Sequence, residues 1–98
     1  MENKFDISQF VDVLTEQQAI CNLVNRYIKR RILMKITQKQ LSKKSGVSYG
    51  SIRRFETTGD ISLISLIKIA SALECLEDFE HLFNKMPIKD LKEFFYDK

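Results

Sequence analysis

Apolar residues in this chain recur at three- and four-residue intervals, the spacing of helices with one buried face. Ile20, Leu23, Val24, Tyr27 and Ile28 form a stripe that Met34 and Ile36 close at the far end. Ahead of it, Thr15 and Gln18 have the spacing of a capping box, in which a hydroxyl and an amide each satisfy an orphan backbone N–H. A long helix is predicted from that box to Leu33 or Met34. Thr37 and Gln40 repeat the box. The helix after it, Gln38 to Lys44, would bury Leu41 and expose Lys39, Lys43 and Lys44. Ser42 is small enough to let a second helix cross closely. Gly46 stands where helices end in a left-handed residue, a conformation Gly adopts without steric cost. Val47 can plug the gap between the two helices, and Ser48 is a good N-cap for the second. That helix carries Ile52 and Phe55 inward, which leaves Tyr49, Gly50, Ser51, Arg53 and Arg54 outward. From Thr37 to Glu56 the pattern predicts a helix-turn-helix.

Beyond Gly59, Ser62 caps the segment SLISLIKIASAL. Leu63, Leu66, Ile67, Ala70 and Leu73 lie on one stripe, and Ile64 and Ile69 add apolar surface outside it. A helix so apolar is either the central core helix or has two buried faces. After a break near Glu74 and Cys75, LEDFEHLFN predicts a helix that gathers Leu76, Phe79, Leu82 and Phe83. Pro87 punctuates, and residues 88–96 suit a last short helix with Leu91, Phe94 and Phe95 on one side. At the other end, Asp6 and Gln9 could cap a helix carrying Ile7, Phe10, Val11 and Leu14. The alternation from Phe10 to Val13 would also suit a strand; the helix is preferred. The C-terminal aromatics exceed what one small core needs. They either close under the N-terminal segment or form a dimer or partner surface.

Charge sharpens this picture. The net charge is only +3, yet no Asp or Glu occurs from Gln17 to Phe55. That stretch holds Arg26, Lys29, Arg30, Arg31, Lys35, Lys39, Lys43, Lys44, Arg53 and Arg54, while the remainder has six basic residues against all thirteen acids. A basic half that coincides with a helix-turn-helix points to nucleic acid. Ninety-eight residues suffice for one domain, 1–98, with a single modest core. No apolar run approaches the roughly 20 residues of a membrane span, and MENKFDISQF lacks the basic and apolar regions of a signal peptide. Cys21 and Cys75 are too few for a disulfide framework and are expected as reduced thiols in or near the core of a cytoplasmic protein. His81 has no Cys or second His at ligand spacing, so neither a metal nor any other cofactor is expected. With no Gly-rich phosphate loop and no Ser–His arrangement, an enzyme is not expected either.

The pattern T-Q-x-x-L-S-x-x-[SG]-G-V-S-x-x-S-I-x-R-F-E resembles the lambda/Cro-like DNA-binding domains of phage repressors and the Xre family of bacterial regulators, over about two-thirds of the chain. The resemblance implies an all-α, lambda repressor-like domain of five helices, with short extensions at 1–14 and 85–98. Ser42 stands where the family mostly has Ala, and Thr57-Thr58-Gly59 makes a longer exit loop than usual. Gly50 lies on the recognition helix, where Gly weakens helicity by about 1 kcal/mol relative to Ala.

Further implications follow for individual residues. The family pairs an arginine of its first helix with the glutamate ending the recognition helix, here Arg31 and Glu56; Arg31 could instead contact phosphate. The helix Ser48 to Phe55 would enter the major groove of double-stranded operator DNA with Tyr49 and Gly50 leading. Tyr49 suits a thymine methyl or one hydrogen bond, and Gly50 close backbone approach. Arg53 or Arg54 suits a guanine, and one of the two could instead hold phosphate. Gln38 would grip the DNA backbone, with Lys39, Lys43, Ser48 and Ser51 near it. A homodimer would place two such helices roughly 34 Å apart. A second resemblance, of SLISLIKIASALECLEDFEHLF to antitoxins of HipB type, implies a toxin partner as the alternative.

Overall fold

A computed structural model describes residues 13–85, and these are helical and loop in content. The order is α1 (Glu16–Leu33), α2 (Gln38–Ser45), α3 (Tyr49–Thr58), α4 (Leu63–Ala72) and a short 3₁₀ helix (Leu76–His81). The expected helices at 1–14 and 88–96 lie outside the described residues, apart from Val13 and Leu14, which are exposed and non-helical.

Local chemistry starts each α-helix. Thr15 and Thr37 both head complete capping boxes, and Ser48 and Ser62 accept hydrogen bonds from the N–H groups of Ser51 and Ser65. The helix ends divide into two kinds. Gly46 and Gly59 take the left-handed conformation that stops α2 and α3. At the ends of α1 and α4 the same conformation falls on Lys35 and Glu74, at φ 58° and 59°. Each is followed by a matched pair of Schellman hydrogen bonds: Lys35 N to Ile32 O with Ile36 N to Arg31 O, and Glu74 N to Ser71 O with Cys75 N to Ala70 O.

The core comprises Val24 and Tyr27 of α1, Leu41 of α2, Val47 of the turn, Ile52 and Phe55 of α3, and Ile69 and Leu73 in and after α4. Leu41, Ile52, Phe55, Ile69 and Leu73 are almost fully buried, each contributing about 1.5–3 kcal/mol by leaving water. Tyr27 and Phe55 rings meet at 5.0 Å between centroids, which holds α3 against α1. α2 packs on both α3 and α4. Arg30 of α1 reaches across to donate to Leu73 O and Glu74 O, at 2.8 and 3.1 Å, where α4 ends in unsatisfied carbonyls.

Several expectations need correction. Ile69 belongs to the core, whereas Leu63 and Ile64 at the first turn of α4 are 65% and 70% exposed. The buried side of α4 is set by its C-terminal half, where it meets the other helices. Thr57 and Thr58 extend α3 rather than forming a loop: their hydroxyls donate back to Arg53 O and Arg54 O, and the helix ends only at left-handed Gly59. LEDFEH forms a 3₁₀ helix with no buried residue. Its Leu76, Phe79 and Leu82 stand three residues apart, which suits a period of three. Leu82 and Phe83 are exposed instead of gathered. Cys21 is exposed on α1, whereas Cys75 is half-buried and burial pushes its thiol pKa up.

Candidate nucleic-acid interface

The helix-turn-helix is locked from inside the turn. Ser42 Oγ donates to Val47 O at 2.6 Å, and Val47 N donates to Ser45 Oγ at 3.1 Å, so both polar groups of buried Val47 are satisfied. Ser42, read as a small residue at a helix crossing, thus also ties α2 to the turn. At the start of α3, Ser48 Oγ caps Ser51 N and donates to Ser51 Oγ at 2.8 Å. The leading end of α3 is therefore capped by its own side chains.

A second lock joins α3 to α1 and α2 through one carboxylate. Glu56 Oε2 accepts from Arg31 Nε at 3.0 Å and from the Tyr27 hydroxyl at 2.7 Å. Its Oε1 accepts from Arg31 Nη2 at 3.2 Å and Gln38 Nε2 at 2.9 Å. Arg31 Nη1 donates to Ile36 O at 3.0 Å, which pins the loop before α2. The guanidinium thus meets Glu56 as a two-pronged fork, the strongest form of such a pair. Both side chains are nearly buried, at 12% and 11% exposure. Burial, and then the bond to Glu56, raise the Tyr27 pKa above the ordinary tyrosine value, so the phenol remains a donor.

Arg31 thus lies on Glu56 rather than on the surface as a separate phosphate contact. Gln38 is half-buried, and its bond to Glu56 uses one of the two amide hydrogens. Tyr27 was legible only as a core residue. A tyrosine in a stripe otherwise aliphatic is the signal that a buried acceptor lies nearby.

On the outward side the structure assembles a three-residue cluster across the motif. Tyr49, the first residue of α3, has Lys39 Nζ of α2 at 5.5 Å from its ring centroid and Arg53 Cζ at 5.6 Å. Both lie within cation–π range. Gly50 beside it is open, since a Cβ there would meet nothing within 4 Å. Arg54 turns the other way and pairs with Asp60 at 3.1 Å. Lys43 and Lys44 are exposed on the last turn of α2. Of the sequence-derived residues, Lys39, Tyr49 and Arg53 are thus brought together across α2 and α3, while Arg54 pairs with Asp60. Among the described residues no group of His, Cys, Asp or Glu could hold a metal, and no helix is long and apolar enough to cross a membrane.

A comparison with known families matches residues 28–79 to the helix-turn-helix family. No curated protein and no solved structure matches the chain. The matched stretch runs from the last turns of α1 to the 3₁₀ helix and includes Arg31, Glu56 and all of α2, α3 and α4. It covers more than half of the chain, and its all-helical order agrees with the lambda repressor-like fold. The chain belongs to the Cro/C1-type helix-turn-helix family of DNA-binding transcription regulators.

Proposed function

We propose that this protein is a repressor that binds operator DNA sequence-specifically as a homodimer, with the leading end of α3 in the major groove. The observation that carries this reading is the outward cluster of Tyr49, Lys39 and Arg53, built from both helices of the motif. A tyrosine held between a lysine and an arginine presents an apolar ring, a hydroxyl and a forked donor together. Those groups match a thymine methyl, a single acceptor and a guanine edge. Gly50 lets the backbone approach the bases closely. Gln38, Lys39, Lys43, Ser48 and Ser51 serve the phosphates, which fix register without reading sequence.

One recognition helix covers few base pairs, and a two-fold dimer supplies the second. Leu63 and Ile64 at the start of α4, and Leu82 and Phe83 after the 3₁₀ helix, are exposed apolar side chains that a second copy could cover. They serve equally the second reading, an antitoxin that also holds a toxin, for which a toxin-like reading frame beside the gene is the distinguishing observation.

The test is fluorescence anisotropy with DNA from the gene's own upstream region against scrambled DNA, at two salt concentrations. Tight binding to the first that weakens with salt is expected. Equal, weak binding to both would refute the repressor reading.

A further inference from the structure

Arg53 and Arg54 are adjacent on the outward side of α3, yet they are held differently. Arg53 lies against Tyr49, whereas Arg54 Nη2 is 3.1 Å from Asp60 Oδ2. This second pair is open to solvent, with side chains 68% and 65% exposed. No acid occurs from Gln17 to Phe55, and the next one, Glu56, is nearly buried and bound by Arg31. Asp60 is therefore the first exposed carboxylate that the chain sets beside its basic motif. A negative charge there lowers the attraction of the whole surface for a polyanion.

We infer that Asp60 is a specificity-determining residue: it withholds Arg54 from phosphates of random sequence and leaves it usable for a base edge. The inference rests on the DNA-binding reading above. A guanidinium paired with a carboxylate brings no net charge to a duplex, so it adds nothing to the counterion release that drives non-specific binding. A phosphate taking Arg54 must either displace Asp60 or lie beside it, anion against anion. A guanine edge is neutral and offers two acceptors, O6 and N7. Arg54 has five N–H donors and Asp60 lies against Nη2, so the fork keeps donors for guanine with the carboxylate still in place. Asp60 thus penalises random DNA more than a site with guanine at the right position.

The experiment measures salt-dependent binding of the full chain to a random duplex and to an upstream-region duplex, between about 50 and 200 mM salt. Asp60→Asn is expected to tighten random DNA by about three- to fivefold, the scale of an exposed ion pair. It steepens the slope of log affinity against log salt by about one. Affinity for the upstream duplex rises less, so the ratio between the two narrows. Arg54→Gln leaves the slope on random DNA unchanged, whereas Lys39→Gln lowers it by about one. The double variant Asp60→Asn with Arg54→Gln returns to the wild-type slope. An Asp60→Asn protein with wild-type affinity and slope on random DNA would overturn the inference. So would an Arg54→Gln protein that loses slope as Lys39→Gln does. Wild-type protein without salt-dependent binding to either duplex would sink the DNA reading itself, a failure visible before any variant is made.

Discussion

Replacing Arg31 separates two things its guanidinium does, neutralising Glu56 and forking among three acceptors. Arg31→Met fills similar volume but leaves a carboxylate of 11% exposure without its cation. Removing one partner of a buried pair costs about 3–5 kcal/mol. Tyr27 and Gln38 still donate to Glu56, which places the loss near the lower end of that range. Arg31→Lys keeps the charge and reaches one acceptor. It forfeits two of the three hydrogen bonds to Glu56 and Ile36, a loss of roughly 2 kcal/mol at about 1 kcal/mol each. Urea unfolding followed by far-UV circular dichroism gives each value from the midpoint and slope. A domain stable by about 5–15 kcal/mol survives both changes. Wild type should be most stable, then Lys, then Met. A lysine variant within about 0.5 kcal/mol of wild type would show that the fork is irrelevant. A methionine variant as stable as wild type would refute the dependence of Glu56 on its cation.

Tyr27→Phe should flatten an alkaline loss of stability. The folded-state pKa of this phenol lies above its ordinary 10.0, so its contribution is complete below about pH 10 and is lost as pH rises through the raised value. Urea midpoints of variant and wild type that fall equally steeply would contradict this. Lys35→Gly and Glu74→Gly should each stabilise by about 0.5–1 kcal/mol, because both residues occupy left-handed backbone that glycine adopts freely; unchanged or lower thermal midpoints would argue otherwise. Gly59→Ala should cost about 2 kcal/mol or more, since φ is +82° and a Cβ would run into Ile20 of α1; a neutral effect in urea would mean that α1 yields there. Arg53→Ala should relax sequence preference, while Gln38→Ala should weaken all sequences alike. Competition binding on specific and random duplexes distinguishes them, and equal losses for both variants would contradict the assignment.

The motif was legible because its signals are local. Thr15, Thr37, Ser48 and Ser62 each cap a helix by bonding to a backbone N–H three residues on, so residue type and spacing suffice. Gly46 ends α2 for the equally local reason that positive φ suits glycine. Local rules also misled. Threonine is a poor helix former in general, yet Thr57 and Thr58 stay in α3, their hydroxyls bonded back to carbonyls four residues earlier, until left-handed Gly59 ends it. Lys35 and Glu74 take a conformation that residue type alone assigns to glycine, held by Schellman bonds and by the packing of Ile36 and Cys75 against the core.

Composition and order along the chain were enough to place a basic helix-turn-helix between an apolar first helix and an apolar fourth. Capping, helical periodicity and charge segregation act over a few residues or over none at all. The side of α4 that faces inward was settled by the packed fold, since a helix apolar nearly all round leaves several faces equally suitable. Partnership among the charged groups was settled there as well. Tyr27 lies 29 residues from Glu56, Gln38 lies 18 from it and Arg30 lies 43 from Leu73. Their hydrogen bonds exist because the core, once closed, sets helix ends at fixed separations. The different partners of Arg53 and Arg54 have the same origin: identical side chains on adjacent positions part because the fold sets the Tyr49 ring beside one and Asp60 beside the other.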